Sequence, residues 1–103
     1  MSASTVEGHI AKERFIGVDL QDHEEARGIV KAIVRDNPEA KVSQIPGVIK
    51  VTCHHQLQIN RATVEQELRH EWDTQEFNMS IISYIGDIQE WDDDHILVKW
   101  STD

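Results

Sequence analysis

One amphipathic stripe in the first third of the chain constrains the fold more than any other feature. Ala26, Ile29, Val30, Ile33 and Val34 recur at the spacing of a single helix face. Asp22 opens the segment as an N-cap, with Glu25 three residues on in a relative of the capping box. Asn37-Pro38 closes it, because the residue before a proline is pushed out of the helical region. A helix with one apolar face needs an apolar surface to cover. The flanking residues supply one: Ile16, Val18 and Leu20 alternate within 14–20, and Ile49, Val51 and Cys53 alternate within 48–53. A short strand at 42–45 joins the second of these through the tight-turn pair Pro46-Gly47. Gly28 lies inside the stripe, where glycine costs about 1 kcal/mol against alanine, and is expected to mark a close approach to the sheet.

The second half repeats the theme with a shorter helix. His54-His55-Gln56 reads as a turn into a strand at 57–59. A helix follows from Thr63, whose spacing to Gln66 makes a capping box, with Asn60 as the rival N-cap. Val64 and Leu68 face inward one turn apart, the helix is over by His70, and Trp72 packs across its end. Residues 77–86, Phe-Asn-Met-Ser-Ile-Ile-Ser-Tyr-Ile-Gly, read as one extended segment. Alternation puts Phe77, Met79, Ile81 and Ile85 on the core side, and Asn78, Ser80, Ile82 and Tyr84 on the other. A half-buried strand has no need of Ile82 and Tyr84 on its wet face. Either a helix of this domain covers them or a partner does. Residues 86–94 read as an acidic loop, followed by a last strand with Ile96, Val98 and Trp100 on one side. The order strand–helix–strands, then helix–strands, gives an α+β class: one compact domain, two helices packed on a mostly antiparallel sheet. The domain is placed at 14–103, and residues 1–13, without sustained periodicity, at a flexible N-terminal arm.

Charge excludes several partners. Nineteen acidic against ten basic residues leave a net charge of −9, with no basic run, which argues against nucleic acid and against an anionic membrane surface. Cys53 is the one cysteine, so no intrachain disulfide forms and a cytoplasmic setting is favoured. No signal-peptide pattern and no apolar run of membrane-spanning length is present.

The residues offer little chemistry. Cys53-His54-His55 places three metal-ligand types in a row, but neighbours on a strand point to opposite sides. No Cys-x-x-Cys or His-Glu-x-x-His spacing adds ligands. Asp92-Asp93-Asp94-His95 lacks the glycine and closing glutamate of a calcium loop and reads as a solvated turn. No serine sits in a nucleophile elbow, Cys53 has no favourably placed base, and the glycines are too scattered to cradle a phosphate. No catalytic, cofactor-binding or metal residue is assigned. The competing reading is a small-ligand or metal-binding module using Cys53, His54 and His55.

Several segments taken in order resemble a known family. They are Asp36-Asn37-Pro38, then Pro46 to Val51, Leu57 to Glu65, Trp72-Asp73-Thr74-Gln75-Glu76, Ile82-Ser83-Tyr84-Ile85-Gly86, and Asp92-Asp93-Asp94 before a final strand. Together they resemble the effector, or coupling, proteins of bacterial multicomponent soluble di-iron monooxygenases, most closely the phenol hydroxylase type. One departure is Leu68-Arg69-His70, where the family often has glycine in the middle position. The resemblance implies a regulatory subunit without cofactor or catalytic residue. Such a subunit binds the hydroxylase component and couples electron delivery, from an NADH-dependent reductase, to substrate hydroxylation. It places the hydroxylase-facing segment at Ser80 to Ile85. The partner-binding set is therefore Asn78, Ser80, Ile82, Ser83, Tyr84 and Ile85.

Overall fold

The computed structural model describes residues 15–101, so the arm expected at 1–13 lies outside the described residues. In chain order the elements are β1 (Phe15–Gln21), α1 (Glu24–Asp36), β2 (Lys41–Ile45), β3 (Val48–His54), β4 (Gln56–Asn60) and α2 (Arg61–Leu68). A 3-10 helix (Thr74–Met79) follows, then β5 (Ile81–Ile85), β6 (Asp87–Trp91) and β7 (His95–Lys99). The α+β class and the antiparallel pairing hold. The strands, however, form two sheets where one was expected, in the orders β2-β3-β1-β5 and β4-β7-β6. The chain leaves the first sheet for the second at two corners, His55 between β3 and β4 and Gly86 between β5 and β6. Both have positive φ, 70° and 124°, and such bends are how strands switch sheets. At Gly86 a Cβ would collide with Ile16 Cγ2 and lie 3.1 Å from Val98 Cγ1. The position demands glycine twice over, for conformation and for space.

Both sheets turn their apolar sides to one core. Ile16, Val18 and Leu20 of β1 and Ile49, Val51 and Cys53 of β3 meet α1, while Leu57, Ile59, Ile96 and Val98 close the second sheet. The stripe on α1 is shifted from the expected one: Ala32 is buried and Val34 is exposed. The N-cap is His23, whose Nδ1 accepts from the Ala26 N–H at 3.2 Å. Asp22 instead accepts from Arg27 Nε at 2.9 Å and Gln44 Nε2 at 2.6 Å, tying the β2–β3 hairpin to the helix start. Gly28 marks a close approach, but to α2 and not to the sheet. A Cβ there would lie 2.5 Å from Leu68 Cδ2.

The second helix starts earlier than Thr63. Arg61 is its first residue, and Asn60 holds the N-cap position without a side-chain capping bond. The Asn60 amide donates to Asp36 Oδ2 at 2.8 Å, linking the helices' ends, while the Arg61 N–H donates to the Asp94 carbonyl at 2.9 Å. At the other end Arg69 takes the left-handed conformation, φ 65° and ψ 31°, where glycine is the ordinary choice. Glu65 fixes what comes next: its Oε2 accepts from the Trp72 N–H at 2.8 Å and from Arg61 Nε at 3.1 Å. Those two donors, the Trp72 amide first, hold the Glu65 carboxyl below its ordinary range. Trp72 is thereby drawn across the helix end and is fully buried.

Asn37 does more than end α1. Its Nδ2 donates to the carbonyls of Ile33 and Gln58, both at 2.8 Å, and its Oδ1 accepts from the Gln58 N–H at 3.0 Å. The side-chain amide thus pairs with the main chain of β4 as a neighbouring strand would.

Candidate functional site

Residues 77–86 are not one strand. Asp73 and Glu76 form a capping box that opens the 3-10 helix, with Asp73 Oδ1 accepting from Gln75 N at 2.9 Å and Glu76 Oε2 from Asp73 N at 3.2 Å. The helix is pinned to the β6–β7 hairpin by Thr74 Oγ1, donating to the Asp92 carbonyl at 2.6 Å. Phe77 packs edge-on against Trp91, ring centroids 6.2 Å apart. Phe77 is buried as expected, whereas Met79, expected in the core, is 73% exposed.

The strand proper, β5, lies at the edge of the four-stranded sheet against β1. Gly17 pairs with Ile85, Val18 with Tyr84 and Asp19 with Ser83, but Leu20 pairs with Ile81. Ile82 is therefore the extra residue of a β-bulge. One added residue inverts the alternation on either side of it. Ile81 and Tyr84 fall on the helix-facing side, and Ser83 and Ile85 on the outer side. Ile85, assigned to the core from the sequence, is consequently exposed. Tyr84 shares a side with Val18 yet remains half-exposed, because the strand is an edge.

The proposed partner-binding residues thus divide. Ile82 (51% exposed), Tyr84 (48%) and Ile85 (46%) stand together on β5, so the reading in which a helix covers Ile82 and Tyr84 does not hold. Ser83 is exposed and donates to Asp19 Oδ2 at 3.0 Å. Lys50 Nζ reaches both Asp19 carboxylate oxygens at 3.2 Å, completing a polar ladder across β5, β1 and β3. Asn78 is exposed on the 3-10 helix and donates to the Gln75 carbonyl at 3.1 Å. Ser80 departs from its assignment. It is fully buried and its Oγ has no hydrogen-bond partner, because it closes the 3-10 turn with αR backbone angles. Two exposed side chains near the strand escaped the sequence reading. Met79 adjoins it, and Phe15, paired with His54, shares the outer side with Ile85. The Asp73-x-x-Glu76 spacing was the available signal for Met79, since it announces a helix where a strand was read.

The segment taken as a loop, residues 86–94, contains β6. Its acidic tip is a turn as expected: Asp92 Oδ1 accepts from the N–H groups of Asp94 and His95, both at 2.9 Å. These amide bonds lower the Asp92 carboxyl below its usual range. His95 Nε2 lies 2.5 Å from Glu90 Oε1. That bond, with Asp92 and Asp94 nearby, raises the His95 imidazole above its ordinary value against partial desolvation. Cys53 is buried with its thiol pushed up by desolvation, the behaviour of a packing residue. His54 and His55 are exposed at the corner. Among the described residues no three His, Cys, Asp or Glu side chains are grouped to hold a metal ion. Also among them, no helix is long and apolar enough to cross a membrane.

Comparison with known proteins places the chain in a family. The MmoB/DmpM family model matches residues 14–99. The chain is 39% identical over 86 residues to the stimulatory component DmpM of phenol 2-monooxygenase from Pseudomonas sp. (strain CF600), covering 84% of this chain and 94% of that protein. Two chains from solved structures of a phenol hydroxylase–regulatory protein complex superpose with TM-scores of 0.80 and 0.76, at 33% and 31% identity. They cover 85% and 84% of this chain and all of their own length. A family match over most of the chain, and agreement in fold as well as sequence, show that this protein belongs to the MmoB/DmpM family.

Proposed function

We propose that the protein is a non-catalytic regulatory subunit that docks on the di-iron hydroxylase component of a multicomponent monooxygenase acting on phenol or a related aromatic or alkene substrate. In this reading it works in the cytoplasm without a cofactor of its own. It couples reducing equivalents from an NADH-dependent reductase to hydroxylation. The observation that supports the reading is the exposed apolar row on the edge strand β5, Ile82, Tyr84 and Ile85, which runs around both sides of that edge. Tyrosine and isoleucine at the centre of such a row provide buried area at low entropic cost when a partner covers them. Met79 and Asn78 extend the contact, with Ser83 at its polar margin. The acidic surface adds steering towards a basic rim on the partner.

Purified protein added to its cognate hydroxylase and reductase should raise product formed per NADH consumed. An unchanged ratio across a full titration would remove the reading.

A further inference from the structure

We propose that β5 has two registers on β1, with Ile81 and Ile82 exchanging the position opposite Leu20. In the observed register Leu20 faces Ile81, and Ile82 is the bulged residue. Continuing the Gly17–Ile85, Val18–Tyr84 and Asp19–Ser83 pairing without the bulge sets Leu20 against Ile82 and Gln21 against Ile81. A one-residue slip normally fails because it turns a polar side chain into the core. Here it trades one isoleucine for another, so the buried aliphatic volume is conserved.

The surroundings are loose on one side of the bulge and tight on the other. Towards the C-terminus, Ser83 donates to Asp19 and anchors the pairing. Towards the N-terminus the displacement passes through Ser80, which is buried and donates its N–H to the Phe77 carbonyl at 3.0 Å, into Met79. Met79 is 73% exposed, and the Ser80 hydroxyl has no hydrogen-bond partner to lose. The main-chain bond that must break is Gln21 N–H to the Ser80 carbonyl, 2.9 Å, and Gln21 regains a pairing partner in Ile81. The slip carries Ile81 to the outer side, beside Ser83 and Ile85, and takes Ile82 inward next to Tyr84. The outer side thereby presents Ile81 in place of the exposed Ile82. A partner that covers this side selects the slipped register by its differential contact. That last step rests on the docking reading above; the two registers do not.

Nuclear magnetic resonance of the free protein tests the exchange. In Ile81→Thr the cross-strand Hα–Hα contact of Leu20 should move from residue 81 to residue 82, while in Ile82→Thr it should stay at 81. A contact that stays at residue 81 in both variants overturns the proposal. The unmodified protein decides the matter if a variant does not fold. Relaxation dispersion should be confined to Leu20, Gln21, Ser80, Ile81 and Ile82, with Gly17 and Val18 flat. Flat profiles throughout, or equal dispersion along all of β5, overturn it. A failure of docking, in contrast, is read in the coupling assay and leaves these signals unchanged.

Discussion

Two edge strands of this domain are treated in opposite ways. On β4 the main-chain N–H and C=O of Gln58 are both taken by the Asn37 side chain, with a second bond from Asn37 to the end of α1. On β5 the edge has no strand beyond it among the described residues and is bulged and apolar, with Ile82, Tyr84 and Ile85 about half-exposed. Unprotected edges invite pairing and aggregation, and proteins ordinarily cover or charge them. The β2 edge of the same sheet is also exposed, with Val42 and Ile45 uncovered, but it lacks the bulge and the tyrosine of β5. The closed edge belongs to stability, and the proposed docking surface lies on the open one.

Perturbation can break that contrast. Asn37→Ala strips the part-buried N–H and C=O of Gln58 of their partner, while the Ile33 carbonyl keeps the Asn37 main-chain N–H; unsatisfied buried groups cost about 1–3 kcal/mol each. A loss of about 3–5 kcal/mol is expected in urea unfolding, without a change in docking beyond what unfolding explains. A loss under about 1 kcal/mol would mean that β4 does not need its clasp.

Gly86→Ala tests the corner where the open edge turns into the closed sheet. A side chain in a left-handed conformation costs about 1–2 kcal/mol and overpacking about 1–3 kcal/mol, so about 3 kcal/mol should be lost in the same measurement.

Tyr84→Ala should do the reverse. Stability should change by about 1 kcal/mol or less, while affinity for the hydroxylase falls roughly tenfold or more, as for an aromatic anchor. Calorimetric melting beside titration binding separates the two. A collapsed melting temperature with intact affinity would move Tyr84 into the core and erase the contrast.

The smallest effect concerns pH at the acidic hairpin. The folded state raises the His95 imidazole above its unfolded value of about 6.5, so it favours the protonated form. Its contribution is fully present below about pH 6.5 and is lost as pH rises through the folded value. Glu65 runs the other way: its lowered carboxyl contributes above the ordinary carboxylate range and loses that contribution as pH falls. Glu90→Gln should lower the His95 midpoint in a proton-resonance titration; an unmoved midpoint would show that Glu90 is not its principal partner.

How much of this the sequence carried depended on whether one period ran unbroken. The alternation in β1 and β3 and the stripe on α1 are continuous, and those elements stand where they were read, within a residue or two. The reading failed where one residue breaks the period. Ile82 as a bulge reverses the sides of Tyr84 and Ile85, and no local propensity distinguishes Ile81 from Ile82 as the extra residue. Asp73 and Glu76 did announce a helix, but the apolar residues after them mimicked a strand. At the site, the oddity of Ile82 and Tyr84 was visible because exposed apolar residues stand out against a polar alternation. The burial of Ser80 was not, since it follows from how the 3-10 turn closes.

The order of two residues at the end of α1 also bears on how the molecule ages. Asparagine side chains deamidate when the next main-chain nitrogen attacks the side-chain carbonyl, a reaction that requires a nitrogen able to shed hydrogen. The nitrogen after Asn37 belongs to Pro38, which has none. The amide on which the β4 edge depends is therefore shielded from the commonest route of its own chemical decay by the same proline that stops the helix.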